Sequence, residues 1–250
     1  GSFRSIDFAL SSMSNSHIQT VAVLTQYNAR SLNEHFSSSK WWNFGRKQGG
    51  LFLFTPTVTA DNSDWYRGTA DAMYQNIDFL KRRHEPYVII SSGDCVYKLD
   101  FNRVLDFHIE KKSDITVVCK DMMYNDDVSR FGVVRMDDES RITEFDEKPI
   151  EASSNTISTG IYVIRRRQLI ELLEAAAEEN RFDFVNDILV RYKNVKKIYG
   201  YKINSYWNNI ADIDAYFKTN MDFLKEDVRN YMFRSEPKIY SKIDDLPPAK

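Results

Sequence analysis

The chain has 250 residues, of which 42% are hydrophobic, and a net charge of −2. This length and composition predict one large core, and the charge gives no indication of a nucleic-acid or anionic-membrane partner. Neither a bilayer-crossing apolar run nor a secretory signal is visible. Cys95 and Cys119, the two cysteines, are expected to be reduced and buried. We therefore expect a cytoplasmic location.

Helices and strands are expected to alternate in the first half of the chain. Hydrophobic periodicity predicts, in order, a helix over 9–17, a strand over 20–25, a loop over 37–50, a helix over 70–83, a strand over 87–91, a helix over 101–111 and a strand over 115–119. Such alternation is typical of an α/β fold with parallel strands.

In the second half of the chain, a strand hairpin is expected before the helices and strands that follow. Strands over 131–136 and 141–145 flank a polar turn, which predicts a hairpin. The elements expected after it are a strand over 157–164, a helix over 167–179, a helix over 183–192 capped by Asp183, a strand over 197–203 and a helix over 212–223. Residues 243–250 are acidic and then proline-rich, which is typical of a linker.

The segment 65–76 is the most informative part of the sequence. Gly68 and Thr69 form a polar turn before a helix, and the following strand ends near Asp94. Helix N-termini bind phosphate, and open α/β sheets bind ligands at the carboxyl ends of their strands. These features predict a phosphorylated, nucleotide-linked small molecule. Asp94 itself fits either a ligand of a divalent cation or a turn residue.

Other polar residues have a functional and an ordinary interpretation. Lys148 could neutralise a sugar phosphate or simply lie on a solvated strand end beside Glu147. Ser158 and its neighbours would allow a sugar to approach closely, although hydroxyls are common in strands. Gln75 could contact a base edge or be a helix-surface amide. The aromatic run 40–45 could stack on a ligand, but it fits loop packing or a subunit contact better.

Several segments, in the right order, resemble the sugar-nucleotide pyrophosphorylases, and in particular the glucose-1-phosphate adenylyltransferase (ADP-glucose pyrophosphorylase) family. The resembling segments are 65–72, 92–100, 131–133 with 145–149, 25–28 and 206–207. The resemblance implies an α/β, Rossmann-like, GT-A-like fold, with a mixed, mostly parallel sheet flanked by helices.

The resemblance also implies an activity and residue roles. Glucose 1-phosphate would attack the α-phosphorus of ATP and release pyrophosphate, giving ADP-glucose, and Asp94 would hold the catalytic Mg²⁺. The residues implied to contact glucose 1-phosphate are Tyr66, Gly132, Glu147, Lys148 and Ser158, and those implied to contact the nucleotide are Gly68, Thr69 and Gln75.

The chain departs from the family pattern at four places. The family's Gly-rich triphosphate loop is expected before residue 1, so the chain is expected to be a fragment or to lack that loop. Asn209 stands where active members carry the second metal-binding Asp. Thr159 and Val185 replace the Met of Ser-Met-Gly and the Gly of Asp-Phe-Gly.

This pattern resembles the non-catalytic, GlgD-type subunit of glycogen synthesis. The resemblance implies a nucleotidyltransferase-like domain over 1–240 and a linker over 241–250 toward an absent C-terminal β-helix domain. It also implies a catalytic partner subunit, as in a hetero-tetramer. Two alternatives stay open, which are a fragment of an active adenylyltransferase and a sugar-phosphate or nucleotide sensor without catalysis.

Overall fold

A computed structural model of the chain describes residues 3–37, 39–44, 49–57, 65–123 and 126–242. Its helices are α1 Ser5–Asn15, α2 Ala29–His35, α3 Thr69–Gln75, α4 Ile77–Lys81, α5 Phe101–Glu110, α6 Arg166–Glu178, α7 Ile213–Asp222 and α8 Glu226–Arg229. Ser39–Trp42 forms a 3₁₀ helix, and Val185–Val190 and Asn230–Arg234 form π-helical turns.

Ten strands are described. They are β1 Thr20–Leu24, β2 Gly50–Phe54, β3 Tyr87–Ser91, β4 Cys95–Tyr97, β5 Ile115–Asp121, β6 Gly132–Met136, β7 Ile142–Glu147, β8 Thr156–Arg165, β9 Ile198–Lys202 and β10 Trp207–Asn209. The chain divides into two compact units. Unit 1 comprises residues 1–54, 92–101 and 205–250, and unit 2 comprises residues 55–91 and 102–204.

Unit 1 contains two small strand pairs. β1 and β2 run parallel, with Val21 opposite Leu51, and β4 and β10 run antiparallel, with Cys95 opposite Asn209. One apolar cluster joins α1 to the β1–β2 pair and includes the fully buried Trp42. Burial of such large apolar side chains is the main stabilising contribution to this unit.

Unit 2 is built on a six-stranded sheet around β8. β5 runs antiparallel along one edge of β8, and β3 and β6 share the other edge. β9 lies parallel to β5, and β7 forms a hairpin with β6. α6 covers the sheet through the fully buried Leu169 and Leu173. Of the expected site residues, this sheet carries Gly132, Glu147 and Ser158.

The expected α/β class, a mixed sheet flanked by helices, is confirmed, but the expected predominance of parallel pairing is wrong. Among the described strands, the parallel pairs are β1–β2 and β5–β9, and the other pairs are antiparallel. Within the sheet of unit 2 the main cause is β8, which follows the hairpin and runs antiparallel to β3 over residues 161–165 and to β5 over most of residues 156–164. β3, which precedes Asp94, therefore has an antiparallel neighbour in the described sheet.

Some element boundaries also differ from the expectations. The helix expected over 70–83 is interrupted at Asn76, whose side-chain amide donates to the carbonyl of Ala72 over 2.9 Å. Such side-chain bonds compete with the helical pattern. α2 and β2 were not predicted, because the first is short and the second is an apolar run without alternation.

The remaining expected elements are present with small shifts at their ends. Asp183 accepts a hydrogen bond from the Asn186 N–H over 2.7 Å, which confirms it as a cap, although the turns that follow it are π-helical. In the aromatic run, Trp42 and Phe44 are buried core residues, so loop packing is the correct interpretation. Most of the expected linker lies outside the described residues. In the described ranges no helix is both long and apolar enough to cross a bilayer.

Candidate functional site

The expected site residues fall in two groups, one in each compact unit. Unit 2 carries Tyr66, Gly68, Thr69, Gln75, Gly132, Glu147, Lys148 and Ser158, and unit 1 carries Asp94 and Asn209.

Asp71 organises the segment before and within α3. Its carboxylate is buried, at 3% exposed, and accepts from the Arg67 N–H over 2.8 Å and from the Arg67 guanidinium over 3.3 Å. The Gln75 side-chain amide donates to the same carboxylate over 3.0 Å. Gln75 is therefore held against its own helix. Sequence reasoning did not assign Asp71 a role, although it lies at the centre of the most informative segment.

The N-terminus of α3 is closed by protein. The carbonyl oxygen of Phe182 accepts from the N–H groups of Ala70 over 2.8 Å and Asp71 over 3.1 Å. A Cβ on Gly68 would lie 2.3 Å from that oxygen, so only glycine allows this approach. The expectation of free N–H donors for phosphate here is therefore wrong for these two groups.

Two further contacts fix the same segments together. The hydroxyl of Thr69 accepts from the Phe184 N–H over 2.9 Å, and the Arg67 guanidinium lies 3.8 Å from the centre of the Phe182 ring. Tyr66 accepts from the Asn76 amide over 3.0 Å, and burial raises the pKa of its phenol, which stays protonated at neutral pH. Segment 66–76 is thus docked on segment 182–184.

Gly132 and Glu147 are opposite each other in the β6–β7 hairpin. A Cβ on Gly132 would lie 2.9 Å from Glu147 Oε2 and 2.8 Å from the Phe145 ring. The missing side chain therefore leaves room for the Glu147 carboxylate. Burial raises the pKa of Glu147, the Lys148 ammonium opposes that rise, and the Asp183 carboxylate adds to it.

Lys148 extends from the end of the same hairpin. Its N–H donates to the Phe131 carbonyl over 3.1 Å, and its backbone lies in the left-handed region at φ 48°. Its side chain is 66% exposed, with Nζ 3.8 Å from Glu147 Oε1. This places a loosely held cation beside a half-buried carboxylate.

Ser158 lies at the start of β8 and is buried. Its hydroxyl is 3.3 Å from the Tyr162 hydroxyl and accepts from the Gly160 N–H over 3.4 Å. Burial raises the pKa of Tyr162, and the Glu147 and Asp183 carboxylates contribute to the rise. The structure therefore brings Glu147, Ser158, Tyr162 and Asp183 into one electrostatic environment. Tyr162 was missed because it reads as an ordinary strand aromatic.

Asp94 occupies the turn between β3 and β4 in unit 1 and is exposed. Its Oδ1 accepts from the Ser92 hydroxyl and from the Cys95 thiol, whose sulfur is 3.3 Å away. Its carbonyl accepts from the Ile210 N–H over 2.8 Å. Burial, followed by the Asp94 carboxylate, raises the pKa of the Cys95 thiol, which stays protonated.

Asn209 is opposite Cys95 across the β4–β10 pair and is 9% exposed. Its amide Nδ2 donates to the Cys95 sulfur over 3.5 Å. Among the described residues, no group of three or more His, Cys, Asp or Glu side chains is arranged to hold a metal. One carboxylate and one amide carry less charge than the two carboxylates that the resemblance implies, so this donor set fits a resident magnesium ion poorly, and the Mg²⁺ of the resemblance stays a prediction.

Comparison with known proteins decides the family. A family model described as nucleotidyl transferase matches residues 1–226. The chain belongs to the nucleotidyl transferase family. Members of the family that are named glucose-1-phosphate adenylyltransferase align with nearly all of the chain.

Three of these family members indicate the degree of similarity. The chain is 37% identical to the Lachnospira eligens protein over 249 residues, which are 99% of this chain and 59% of that protein. It is 39% identical to the Clostridium acetobutylicum protein and 37% identical to the Bacillus subtilis protein, with 99% of this chain and 66% of each relative covered. The chain thus spans about three-fifths to two-thirds of the length of these relatives.

Proposed function

We propose that the chain is the nucleotidyltransferase-like part of a regulatory, GlgD-type subunit of glucose-1-phosphate adenylyltransferase. In this proposal it binds glucose 1-phosphate or ADP-glucose, turns over little substrate itself, and modulates a catalytic partner in a hetero-oligomer. The observation that carries the proposal is Asn209, an amide at the position where the resemblance calls for a second carboxylate.

The charge at Asp94 supports low turnover. Transfer to the α-phosphorus of ATP requires charge neutralisation and positioning of phosphates more than an acid–base pair. A bound Mg²⁺ would supply that neutralisation in the family reaction. Asp94 offers one carboxylate, already engaged by the Ser92 hydroxyl and the Cys95 thiol, and Asn209 adds no charge.

The group in unit 2 supports retained sugar-phosphate binding. Lys148 presents a cation that is free to turn toward a phosphate. Glu147 and Ser158 present an acceptor and a hydroxyl that suit sugar hydroxyls, and Gly132 leaves the room that the Glu147 carboxylate occupies. In this proposal these residues bind and orient glucose 1-phosphate without activating it.

One alternative is an active adenylyltransferase, which is favoured by the presence of both Asp94 and Lys148. The two functions differ in a synthesis assay on the full-length protein with ATP, glucose 1-phosphate and Mg²⁺. The regulatory proposal predicts a rate roughly a hundredfold or more below that of a catalytic homologue. A rate comparable to that homologue would establish the alternative.

A mixing experiment tests the regulatory role itself. The full-length protein is added at increasing ratio to a catalytic glucose-1-phosphate adenylyltransferase subunit, and ADP-glucose formation is followed. The proposal predicts that the rate or the effector response of the mixture changes and saturates at a fixed ratio. Glucose 1-phosphate binding with no effect on the catalytic subunit at any ratio would indicate the sensor instead.

A further inference from the structure

Residues 238–242, which we call the strap, lie along α1 in unit 1. The Ser11 hydroxyl accepts from the Tyr240 N–H over 2.8 Å and lies 3.2 Å from the Tyr240 carbonyl oxygen. The Trp42 indole N–H donates to the same carbonyl over 3.2 Å. Asn15 donates to the Lys238 carbonyl over 2.9 Å. The strap is therefore an ordered part of unit 1.

A buried carboxylate anchors the end of the strap. Asp7 of α1 is fully buried and accepts from the Ser241 hydroxyl over 2.7 Å and from the Arg4 N–H over 2.8 Å. His35 Nε2 lies 2.6 Å from its other oxygen. A buried carboxylate with several donors holds them in one arrangement, because each lost bond leaves a charge poorly solvated.

Other residues of α1, together with Ser16 directly after it, contact the segment that contains Asp94. The Ser12 hydroxyl accepts from the Leu99 N–H over 3.2 Å, and the Ser16 hydroxyl accepts from the Phe101 N–H over 2.9 Å. Ile6 Cδ1 lies 2.9 Å from the position that a Cβ on Gly93 would take. α1 thus lies between the strap and segment 93–101.

Residues 231–235, which precede the strap, contact segment 93–101 directly through Lys98. Lys98 follows β4 and is buried, and its ammonium donates to the carbonyls of Tyr231 over 2.6 Å and Ser235 over 2.8 Å. Segment 231–242 is therefore connected to the Asp94 region twice, through Lys98 and through α1.

We propose that the strap is a positioning element for Asp94, acting through α1 on the turn at residues 93–95. Docking of the strap keeps α1 in place, and α1 keeps this turn closed over the Cys95 thiol. Release of the strap lowers the free energy needed to open the turn, while the sheet of unit 2 is unaffected. This positioning of Asp94 does not depend on whether the protein turns over substrate.

The two cysteines give the test its readout and its reference. Cys95 adjoins Asp94 in unit 1 and is 2% exposed, and Cys119 lies in β5 of unit 2 and is fully buried. Labelling of each thiol in the native full-length protein by a disulfide reagent reports the opening of its own region. Ser11→Ala removes the hydroxyl that holds Tyr240, and Ser241→Ala is a milder second variant.

Ser14→Ala is the matched control, because Ser14 is a half-buried residue of the same helix whose hydroxyl has no partner within the described ranges. We expect Cys95 to be labelled roughly three- to tenfold faster in Ser11→Ala and Ser241→Ala than in the wild type and in Ser14→Ala. The labelling rate of Cys119 should be the same in every variant. Equal acceleration of both thiols would show that the strap stabilises the whole protein and not the turn at Asp94, which would also contradict the proposal. Unchanged Cys95 labelling in both strap variants would overturn the inference outright.

Discussion

Asn209 and Cys95 are directly opposite each other in the β4–β10 pair, and the Asn209 amide donates to the Cys95 sulfur over 3.5 Å. The thiol in turn contacts Asp94, with its sulfur 3.3 Å from Oδ1. The three side chains form a hydrogen-bonded series that carries one negative charge. Mg²⁺ sites that serve phosphate chemistry use one or two carboxylates together with the substrate phosphates, and this series offers the smaller number, so it should hold a divalent cation more weakly than a pair of carboxylates would.

Asn209→Asp is expected to create affinity for a divalent cation. The new carboxylate would lie near Asp94, and a dication relieves the repulsion between them. We expect Mn²⁺, followed by electron paramagnetic resonance, to bind at least about tenfold more tightly to the variant. Without metal, the free energy of unfolding of the variant should be about 1–3 kcal/mol lower than that of the wild type, because the new charge is mostly buried.

Asn208→Asp is the control for this experiment. Asn208 adjoins Asn209 in the same strand, but its amide donates to the Thr219 hydroxyl over 2.6 Å. The variant adds the same charge at a position that is opposite Val96 and not opposite Cys95. Equal Mn²⁺ affinity in the two variants would show that bulk charge, and not the Asp94 pairing, attracts the ion.

Asp71→Asn is expected to loosen the start of α3. The substitution removes the buried charge that binds the Arg67 guanidinium and weakens its bonds to the Arg67 N–H and the Gln75 amide. We expect a loss of about 1–3 kcal/mol in the free energy of unfolding, measured in urea. Asp78→Asn, at an exposed position of α4, should change it by less than about 0.5 kcal/mol. Similar losses in both variants would contradict the role given to Asp71.

Gly68→Ala is expected to separate segment 66–76 from segment 182–184. Gly68 has an extended φ of 176°, so the cost arises from the Cβ, which would lie 2.3 Å from the Phe182 carbonyl oxygen. A loss of about 2–3 kcal/mol in unfolding free energy is expected. Gly93→Ala is the comparison, since its Cβ would meet only the flexible end of Ile6 and should cost less. The reverse order would refute this explanation.

Glu147→Gln is expected to change how stability depends on pH. Burial raises the pKa of Glu147 above the ordinary 4.5, so the folded protein holds this proton more tightly than the unfolded chain. The contribution of Glu147 to unfolding free energy therefore falls as pH rises from below 4.5 through the raised pKa. The free energy of unfolding of Glu147→Gln, measured relative to that of the wild type, should therefore increase as the pH rises over this range.

Glu144→Gln provides the matched control, because Glu144 is on the same strand and pairs with Arg135 over 3.6 Å with a side chain 45% exposed. Urea unfolding at several pH values distinguishes the two residues. A relative stability of Glu147→Gln that stays flat, or that falls with rising pH, would mean that the carboxyl is not disfavoured by its surroundings.

Much of the fold could be predicted because it follows from local patterns. The β-branched run of β5 and the Asp cap of α7 are strong signals, and both elements formed where expected. The antiparallel direction of β8 could not be predicted, since it depends on which distant strands pair with it. β4 and β10 were missed because three residues are too few to show a period.

The candidate site was predictable only in part, for a similar reason. The family resemblance implied contacts at Gly132 and Glu147, and the hairpin places these two residues opposite each other. The bonds from Ala70 and Asp71 to the Phe182 carbonyl are long-range contacts that no local pattern of α3 reveals. For that reason the helix start looked like a free phosphate site although its donors are taken.

The central claim is that this protein binds glucose 1-phosphate but turns over little of it by itself. The most direct test measures both quantities on one preparation of the full-length protein without a partner, using calorimetry for glucose 1-phosphate binding and pyrophosphate release for turnover with ATP and Mg²⁺. We predict saturable binding that Lys148→Ala weakens by about tenfold or more, with turnover about a hundredfold or more below that of a catalytic homologue. Turnover at the rate of a catalytic homologue would contradict the claim, as would the absence of glucose 1-phosphate binding.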